Sequence, residues 1–130
     1  MNHKAGHLLV VEDNDLNYEL FEVILQLRGF RLSRARSGRE AQEVVSNDPP
    51  DLVILDVGLP DVDGIDLALQ IRQDPSNAEL PFVCVSGHAL PEDVDRAAAA
   101  GVRRYLTKPI NTRTFAQEIE EILGDVRSGV

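Results

Sequence analysis

Acidic residues follow two apolar segments of the chain, at positions where they could bind a cation. Glu12 and Asp13 come directly after the apolar run 8–11, and Asp56 comes directly after the run 52–55. Carboxylates brought within ~4 Å of each other repel by about 4 kcal/mol per pair at an effective dielectric constant of ~20. A divalent cation removes this repulsion. Oxygen ligands alone favour Mg2+, Mn2+ or Ca2+, and so small a number of carboxylates suits Mg2+ best.

A hydroxyl group and a lysine follow two further segments. Ser86 comes directly after the apolar run 82–85, and Lys108 comes shortly after the mixed segment 102–106. A cation, an ammonium group and a hydroxyl group together form a receptor for a phosphoryl group, because phosphoryl transfer depends on positioning and charge neutralisation. A single acid at a strand end commonly only caps a helix. The conjunction of these residues favours a phosphoryl site.

The segments that precede these residues read as strands. The runs 8–11, 52–55 and 82–85 are unbroken, which is typical of strands buried on both faces of a parallel sheet. The segments 30–33 and 102–106 mix apolar and polar residues, as strands at the edge of a sheet do. The sequence therefore predicts three central strands and two edge strands.

Helical patterns separate the predicted strands. The clearest one begins after Asn14 or Asp15 as the N-cap and ends near Gly29, a residue type common at helix ends. Its apolar residues recur at three- and four-residue spacing: Leu16, Leu20, Val23, Ile24 and Leu27. Four more helices are marked by Ala41, Val44 and Val45 after Ser37; by Ile65, Ala68, Leu69 and Ile71; by Val94, Ala97 and Ala98 after Pro91; and by Phe115, Ile119, Ile122 and Leu123. Strand and helix thus alternate along the chain.

This alternation predicts an α/β fold in which helices cover both faces of a parallel sheet. The units are too few for a closed barrel, so we expect a flavodoxin-like (βα)5 doubly wound parallel sheet with strand order 2-1-3-4-5. Ligands bind to such sheets beyond the carboxyl ends of the strands, where the strand order reverses. That point lies between the first and third strands. The fold is therefore expected to gather Glu12, Asp13 and Asp56.

Length and composition limit what the chain can be. With 130 residues, 43% hydrophobic and 27% charged, it is expected to form one domain over 1–130 with a core at about 8–123. The formal net charge of -9 disfavours nucleic acid and anionic membranes as partners. Cys84 lies in an apolar run and is expected to be buried. Because no apolar stretch approaches the ~20 residues that span a bilayer and no signal peptide is visible, a cytoplasmic location is expected.

Five short motifs occur in order along the chain. They are Val11-Glu12-Asp13-Asn14, Leu55-Asp56-Val57-Gly58-Leu59-Pro60, Asp63-Gly64, Val85-Ser86-Gly87 and Tyr105-Leu106-Thr107-Lys108-Pro109. With these motifs the sequence resembles the receiver domain of two-component response regulators, a chiefly bacterial family, from about Leu8 to Leu123. The resemblance covers nearly the whole chain.

The resemblance implies that Asp56 is the phosphoacceptor, which takes a phosphoryl group from the phosphohistidine of a histidine kinase or phosphotransfer protein. It implies a Mg2+ ion, or Mn2+, held by Asp13 directly, by Glu12 through water, by Asp56 and by the backbone carbonyl of Gly58. Lys108 would pair with the phosphoryl oxygens as a point charge, and the bond to the following proline is often cis in this family.

The resemblance also assigns a switch. Ser86 resembles the hydroxyl that bonds the phosphoryl group, and Tyr105 the aromatic residue that moves with it. They would couple the site to the surface of the fourth helix, fifth strand and fifth helix, where a target protein would bind. The sequence departs from the family pattern at Gly87, usually alanine, and at Gly58 and His88, whose positions usually shade the attacking water. The mobility of this loop and the lifetime of the phosphoryl group are therefore expected to differ from those typical of the family.

Three functions compete. The first is a stand-alone phosphoacceptor switch, a monomer or a weak phosphorylation-dependent dimer, with output by protein contact, because the chain ends seven residues after Leu123. Such a protein is not an enzyme in the usual sense, because it promotes only its own phosphorylation and dephosphorylation. The second is a phosphorylation-independent adaptor of the same fold. The third, a small Mg2+-dependent aspartyl phosphatase, calls for a second acid where Gly58 stands.

Five basic residues concentrate around the second predicted strand: Arg28, Arg31, Arg34, Arg36 and Arg39. They form either a solvated face or a docking surface for an acidic partner. Nucleic-acid binding is disfavoured, because no aromatic residues are interleaved with them for base stacking. The ends, 1–6 and 127–130, are expected to fray, and no role is expected for His3 or His7.

Overall fold

Strands and helices alternate in the computed structural model, which describes residues 5–88 and 90–128. The strands are β1 (Gly6–Val11), β2 (Phe30–Ala35), β3 (Leu52–Asp56), β4 (Phe82–Ser86) and β5 (Arg104–Thr107). The helices are α1 (Asp15–Gln26), α2 (Gly38–Asn47), α3 (Gly64–Arg72), α4 (Pro91–Ala99) and α5 (Phe115–Arg127), with a 3-10 turn at Pro75–Asn77. Within the described ranges, no helix combines the length and the apolar character that crossing a membrane requires.

The five strands form one parallel sheet in the order β2-β1-β3-β4-β5, which confirms the predicted topology. β1 lies between β2 and β3. On the other side of β3, Asp56 pairs with Val85, and the next strand pair brings Ser86 opposite Thr107. Because the strands are parallel, the residues that follow them all emerge at one edge of the sheet.

Alternate residues of the central strands face opposite sides of the sheet and build two apolar layers. One layer lies on the side of α2, α3 and α4 and contains the strand residues Leu9, Val11, Val53, Leu55, Phe82 and Cys84. The other lies on the side of α1 and α5 and contains Leu8, Val10, Leu52, Ile54, Val83 and Val85. Cys84 is buried as predicted, and this burial raises the pKa of its thiol to about 12.

Helix α1 forms where predicted, but most of the apolar residues that mark it in the sequence do not face the core. Phe21 and Leu25 are the residues that α1 buries, and the ring of Phe21 lies 5.3 Å from that of Phe115 in α5. Of the five apolar residues that mark the helix in the sequence, Ile24 packs against the core, and four are exposed: Leu16, Leu20, Val23 and Leu27. Because α1 is apolar on two faces, spacing alone does not identify the face that packs on the sheet.

Two residues expected to fray, Gly6 and Arg127, belong to regular secondary structure. Strand β1 already begins at Gly6, and α5 continues to Arg127. His7 is buried in β1, where its Nε2 lies 2.7 Å from the hydroxyl oxygen of Ser33. Residues 1–4, His3 among them, and 129–130 lie outside the described part of the chain. His7 therefore has a structural role at the edge of the sheet opposite the acids.

Candidate functional site

The acids that follow β1 differ in their surroundings. Glu12 is only 1% exposed, whereas Asp13 lies at the surface. One carboxylate oxygen of Glu12 accepts a hydrogen bond of 3.2 Å from the backbone N–H of Asn14. Asn14 caps α1, since its side-chain oxygen accepts from the N–H of Asn17 at 2.9 Å. The helix cap therefore fixes the loop that carries both acids.

Asp56, the last residue of β3, lies across the crevice from these acids. Its Oδ1 accepts a hydrogen bond of 3.0 Å from the N–H of Gly58. The chain then turns back sharply, and the N–H of Gly64 donates to the carbonyl of Val57 at 2.8 Å. A Cβ at Gly64 would lie 2.4 Å from the carbonyl oxygen of Asp56. Only glycine fits at this position, so the Asp63-Gly64 motif holds α3 against the end of β3.

Lys108 connects the two acidic positions. Its Nζ lies 3.2 Å from Oε1 of Glu12 and 3.3 Å from Oδ2 of Asp56. Its backbone N–H donates to the carbonyl of Ser86 at 2.7 Å, and the bond to Pro109 is cis. The site is therefore assembled from residues at the ends of β1, β3, β4 and β5.

The charges of this group depend on one another. Burial raises the pKa of Glu12 above its usual range, and the nearby charge of Asp56 adds to this effect. Although burial disfavours the charged form of Lys108, its neighbours Asp56 and Glu12 hold the pKa of this lysine above its usual range. Lys108 thus remains cationic at neutral pH and partly neutralises the two carboxylates that face it.

The acids have the chemistry of a hard-cation site. Carboxylate oxygens of Glu12, Asp13 and Asp56 all lie within 4.8 Å of one another. An all-oxygen donor set of high negative charge suits Mg2+ or Mn2+. The three sequence-predicted acids are thus brought together. Gly58 lies beside Asp56, as the hydrogen bond from its N–H shows. That its backbone carbonyl binds the metal ion stays a prediction.

The two predicted switch residues meet at the backbone of His88. The hydroxyl oxygen of Ser86 accepts from the N–H of His88 at 3.1 Å, and the hydroxyl of Tyr105 donates to the carbonyl of His88 at 3.0 Å. The sequence did not indicate this shared contact, because it involves backbone atoms of a loop. Both hydroxyl groups are therefore tied to the loop that leads from β4 to α4. A Cβ at Gly87 in this loop would meet nothing within 4 Å. The glycine that stands here in place of the usual alanine therefore leaves open space beside the loop.

The arginines of the cluster form ion pairs with acidic residues of the same chain. Each of its members pairs with an acid at 3.8 Å or less: Arg28 with Glu120, Arg31 with Asp48, Arg34 and Arg36 with Asp15, and Arg39 with Glu43. Of the two interpretations of this cluster, internal pairing thus favours a solvated face over a docking surface.

A groove opens beside Lys108, between α1 and the connection from β5 to α5. Its volume is about 260 Å3, and it is lined by Asn17, Leu20, Phe21, Lys108, Pro109 and Ile110. The exposed apolar residues of α1 extend away from it along the helix, with 76% of Leu16 and 58% of Val23 accessible. An apolar surface therefore borders the acidic site.

This strand order, with acids at the ends of β1 and β3 and a lysine after β5, defines the receiver class of signalling domains. The family model of the response regulator receiver domain matches residues 8–120, and the chain belongs to this family. It is the receiver domain of a two-component response regulator, which confirms the resemblance carried by the five motifs.

Known proteins agree with this assignment. The chain is 33% identical over 118 residues to the polar-differentiation response regulator DivK of Brucella ovis, in an alignment that covers 91% of this chain and 96% of DivK. It is 31% identical to the signal receiver domain of a signal transduction histidine kinase from Syntrophus aciditrophicus, with a TM-score of 0.85 and coverage of 93% and 92%. A CheY-like receiver domain protein from Methanospirillum hungatei JF-1 shares the fold, with a TM-score of 0.88, 24% identity and coverage of 95% and 98%.

Proposed function

We propose that this receiver domain is a phosphoacceptor switch in which Asp56 takes a phosphoryl group from the phosphohistidine of a histidine kinase or phosphotransfer protein. A carboxylate oxygen of Asp56 forms the new bond to phosphorus while the bond from phosphorus to the imidazole nitrogen breaks. The imidazole leaves with the electron pair of that bond. The observation that carries this proposal is the placement of Lys108, with its ammonium group within 3.3 Å of both Asp56 and Glu12.

Glu12, Asp13 and Asp56 would hold Mg2+, which supplies positive charge for the phosphoryl oxygens when it is bound. Lys108 supplies a second positive charge from the end of β5, at the same edge of the sheet. Because its Nζ contacts Asp56 directly, it needs only a small movement to pair with a phosphoryl group on that residue. Ser86 offers its hydroxyl at the end of the neighbouring strand.

The apolar surface on α1 supports a protein as the phosphoryl donor. Large aliphatic side chains are rarely left in contiguous exposed rows without a binding partner. Here the row is Leu16, Leu20, Val23 and Leu27. It continues into the groove beside Lys108, which itself contacts Asp56. A donor protein seated on α1 would thus hold its phosphohistidine over the acceptor.

The output is proposed to pass through the loop from β4 to α4. Ser86 and Tyr105 both bind the backbone of His88 in this loop. If Ser86 turns to the phosphoryl group, its bond to the N–H of His88 is lost. Helix α4 follows directly and buries little, since Ala97 is its one buried side chain among the residues described. A target protein would sense the resulting change on the face of α4, β5 and α5.

The receiver is proposed to act stoichiometrically and not as an enzyme with a separate substrate, because the group that receives the phosphoryl is part of the chain. Intact-protein mass after incubation with acetyl phosphate, with and without Mg2+, tests this. Wild type is expected to gain one phosphoryl mass only with Mg2+, and Asp56→Asn is expected to gain none. If wild type gains no mass and also binds no Mg2+, the phosphorylation-independent adaptor replaces this proposal.

A further inference from the structure

One arginine of the cluster in residues 28–39 reaches the loop that carries the acids. Arg34 lies in β2 opposite Val10 of β1, and its side chain is 19% exposed. Its Nε and Nη2 donate to the backbone carbonyl oxygen of Glu12, at 3.2 and 3.1 Å. Among the described residues, no other arginine of the cluster hydrogen-bonds to this carbonyl.

The guanidinium group of Arg34 is held on two further sides. Its Nη2 lies 2.9 Å from a carboxylate oxygen of Asp15, and its central carbon lies 4.5 Å from the centre of the Tyr18 ring. A planar guanidinium suits this arrangement, because it donates hydrogen bonds from its edge while an aromatic ring covers its face. A lysine ammonium could not make all of these contacts at once.

These contacts fix the backbone on both sides of Asp13. The carbonyl before Asp13 is bound by Arg34, and the N–H after it, that of Asn14, is bound by the carboxylate of Glu12 at 3.2 Å. Asp15 is held by both Arg34 and Arg36. Asp13 is the exposed member of the acidic group, so the direction of its side chain depends on this backbone.

We propose that Arg34 is a positioning residue for the cation site: it holds the loop at residues 12–15 so that the carboxylate of Asp13 faces those of Glu12 and Asp56. This inference rests on the proposed function, in which the three acids bind Mg2+. Arg34 acts through the loop, because its polar contacts are to the carbonyl of Glu12 and the carboxylate of Asp15.

If Arg34 acted only through its charge, its removal would change the affinity for Mg2+ in the direction opposite to that expected from a positioning role. A positive guanidinium near an acidic site repels a cation, so its removal would tighten Mg2+ binding. A positioning role predicts instead that removal weakens binding even though a repelling charge is lost. Arg36 provides the matched control, because it contacts the same oxygen of Asp15 at 2.9 Å without a hydrogen bond to Glu12.

The test is isothermal titration calorimetry with Mg2+ on the full chain, with thermal unfolding as a check of folding. Arg34→Met is expected to raise the Kd for Mg2+ by about tenfold, the lower end of the effect of removing a group that orients a metal ligand. Arg36→Met is expected to leave the Kd unchanged or lower. Arg34→Lys keeps the charge but loses the planar contacts, so it is expected to weaken binding several-fold.

An Arg34→Met protein that binds Mg2+ as tightly as wild type, or an Arg36→Met protein weakened to the same degree, would overturn the positioning role. If Arg34→Met does not fold, Arg34→Lys decides, and wild-type affinity in that variant overturns the proposal. Absence of Mg2+ binding in wild type would overturn the cation site as a whole. This outcome is distinct from a result that overturns only the positioning role of Arg34.

Discussion

The ammonium group of Lys108 lies 3.2 Å from the carboxylate of Glu12, a residue that is 1% exposed. This is the most buried ion pair of the site. A buried carboxylate is costly to ionise even beside a partner, because it loses its hydration. The pair therefore serves the chemistry of the site at some cost in stability.

Glu12→Gln is expected to stabilise the Mg2+-free protein at neutral pH. Since burial raises the pKa of Glu12 on folding, its contribution to stability is present below its usual pKa of 4.5 and is lost as the pH rises through the folded-state value. Because glutamine does not ionise, the variant does not lose this stability as the pH rises. Thermal unfolding in a chelator, from about pH 4 to about pH 8, should show a higher Tm for the variant that converges with wild type at the acid end. Exposed Glu19→Gln serves as the control, and a lower Tm for Glu12→Gln at every pH would contradict the argument.

Gly58→Met is expected to lengthen the lifetime of the phosphorylated state several-fold. A Cβ at Gly58 would lie 3.9 Å from Oδ1 of Asp56, an ordinary contact, so the acceptor keeps its geometry while the new side chain shields it from water. The loss of phosphoryl mass after removal of the donor measures this. Gly124→Met, placed in open space on α5, should leave the lifetime unchanged. An unchanged lifetime in Gly58→Met would show that water reaches Asp56 by another path.

Leu20→Glu is expected to slow phosphoryl transfer from a protein donor and not from acetyl phosphate. Leu20 lines the groove beside Lys108 and is 41% exposed, so the change should not disturb the core. Loss of one apolar contact at the centre of an interface costs about 1–2 kcal/mol, which corresponds to about 5- to 30-fold in the transfer rate. The assay uses any histidine kinase that phosphorylates the wild type.

The control for this experiment is Leu69→Glu, at a leucine on α3 that is 46% exposed. It introduces the same charge on a different helix. Equal slowing in both variants, or slowing with acetyl phosphate as well, would remove α1 as the docking site of the donor.

Gly64→Ala is expected to destabilise the protein by about 1–3 kcal/mol, the usual cost of overpacking. The added Cβ would meet the carbonyl oxygen of Asp56 at 2.4 Å and a methyl carbon of Leu55 at 2.6 Å. Urea unfolding gives the change in the free energy of unfolding. Gly124→Ala, in helix α5 with open space around it, is expected to stabilise by about 0.5–1 kcal/mol. A Gly64→Ala protein as stable as wild type would mean that the turn after β3 has room to move.

The sequence predicts the sheet and its acids because both depend on the order of short segments. Asp56 ends a strand and Lys108 follows one, and parallel strands bring such residues to one edge whatever the details of packing. The packed face of α1 could not be predicted in this way. Phe21 and Leu25 lie on one apolar face and Leu16 on another, and contact with Phe115 of α5, remote in sequence, decides between them.

Contacts made through the backbone also escape sequence patterns. The hydrogen bond from Tyr105 to the carbonyl of His88, and those from Arg34 to the carbonyl of Glu12, depend on side-chain direction and loop path. The structural role of His7 escapes the sequence pattern for a related reason, because its burial depends on the neighbouring strand that supplies Ser33.

The contact between Lys108 and Glu12 joins residues 96 positions apart in the chain. During synthesis, a growing chain contains both acids that follow β1, and then Asp56, well before it contains the lysine. Lys108 also follows β5, the edge strand that pairs with β4 in the finished sheet. A chain that has not yet joined β5 to the sheet therefore lacks the ammonium group of the site, so the proposed phosphoacceptor is complete only in the fully folded domain.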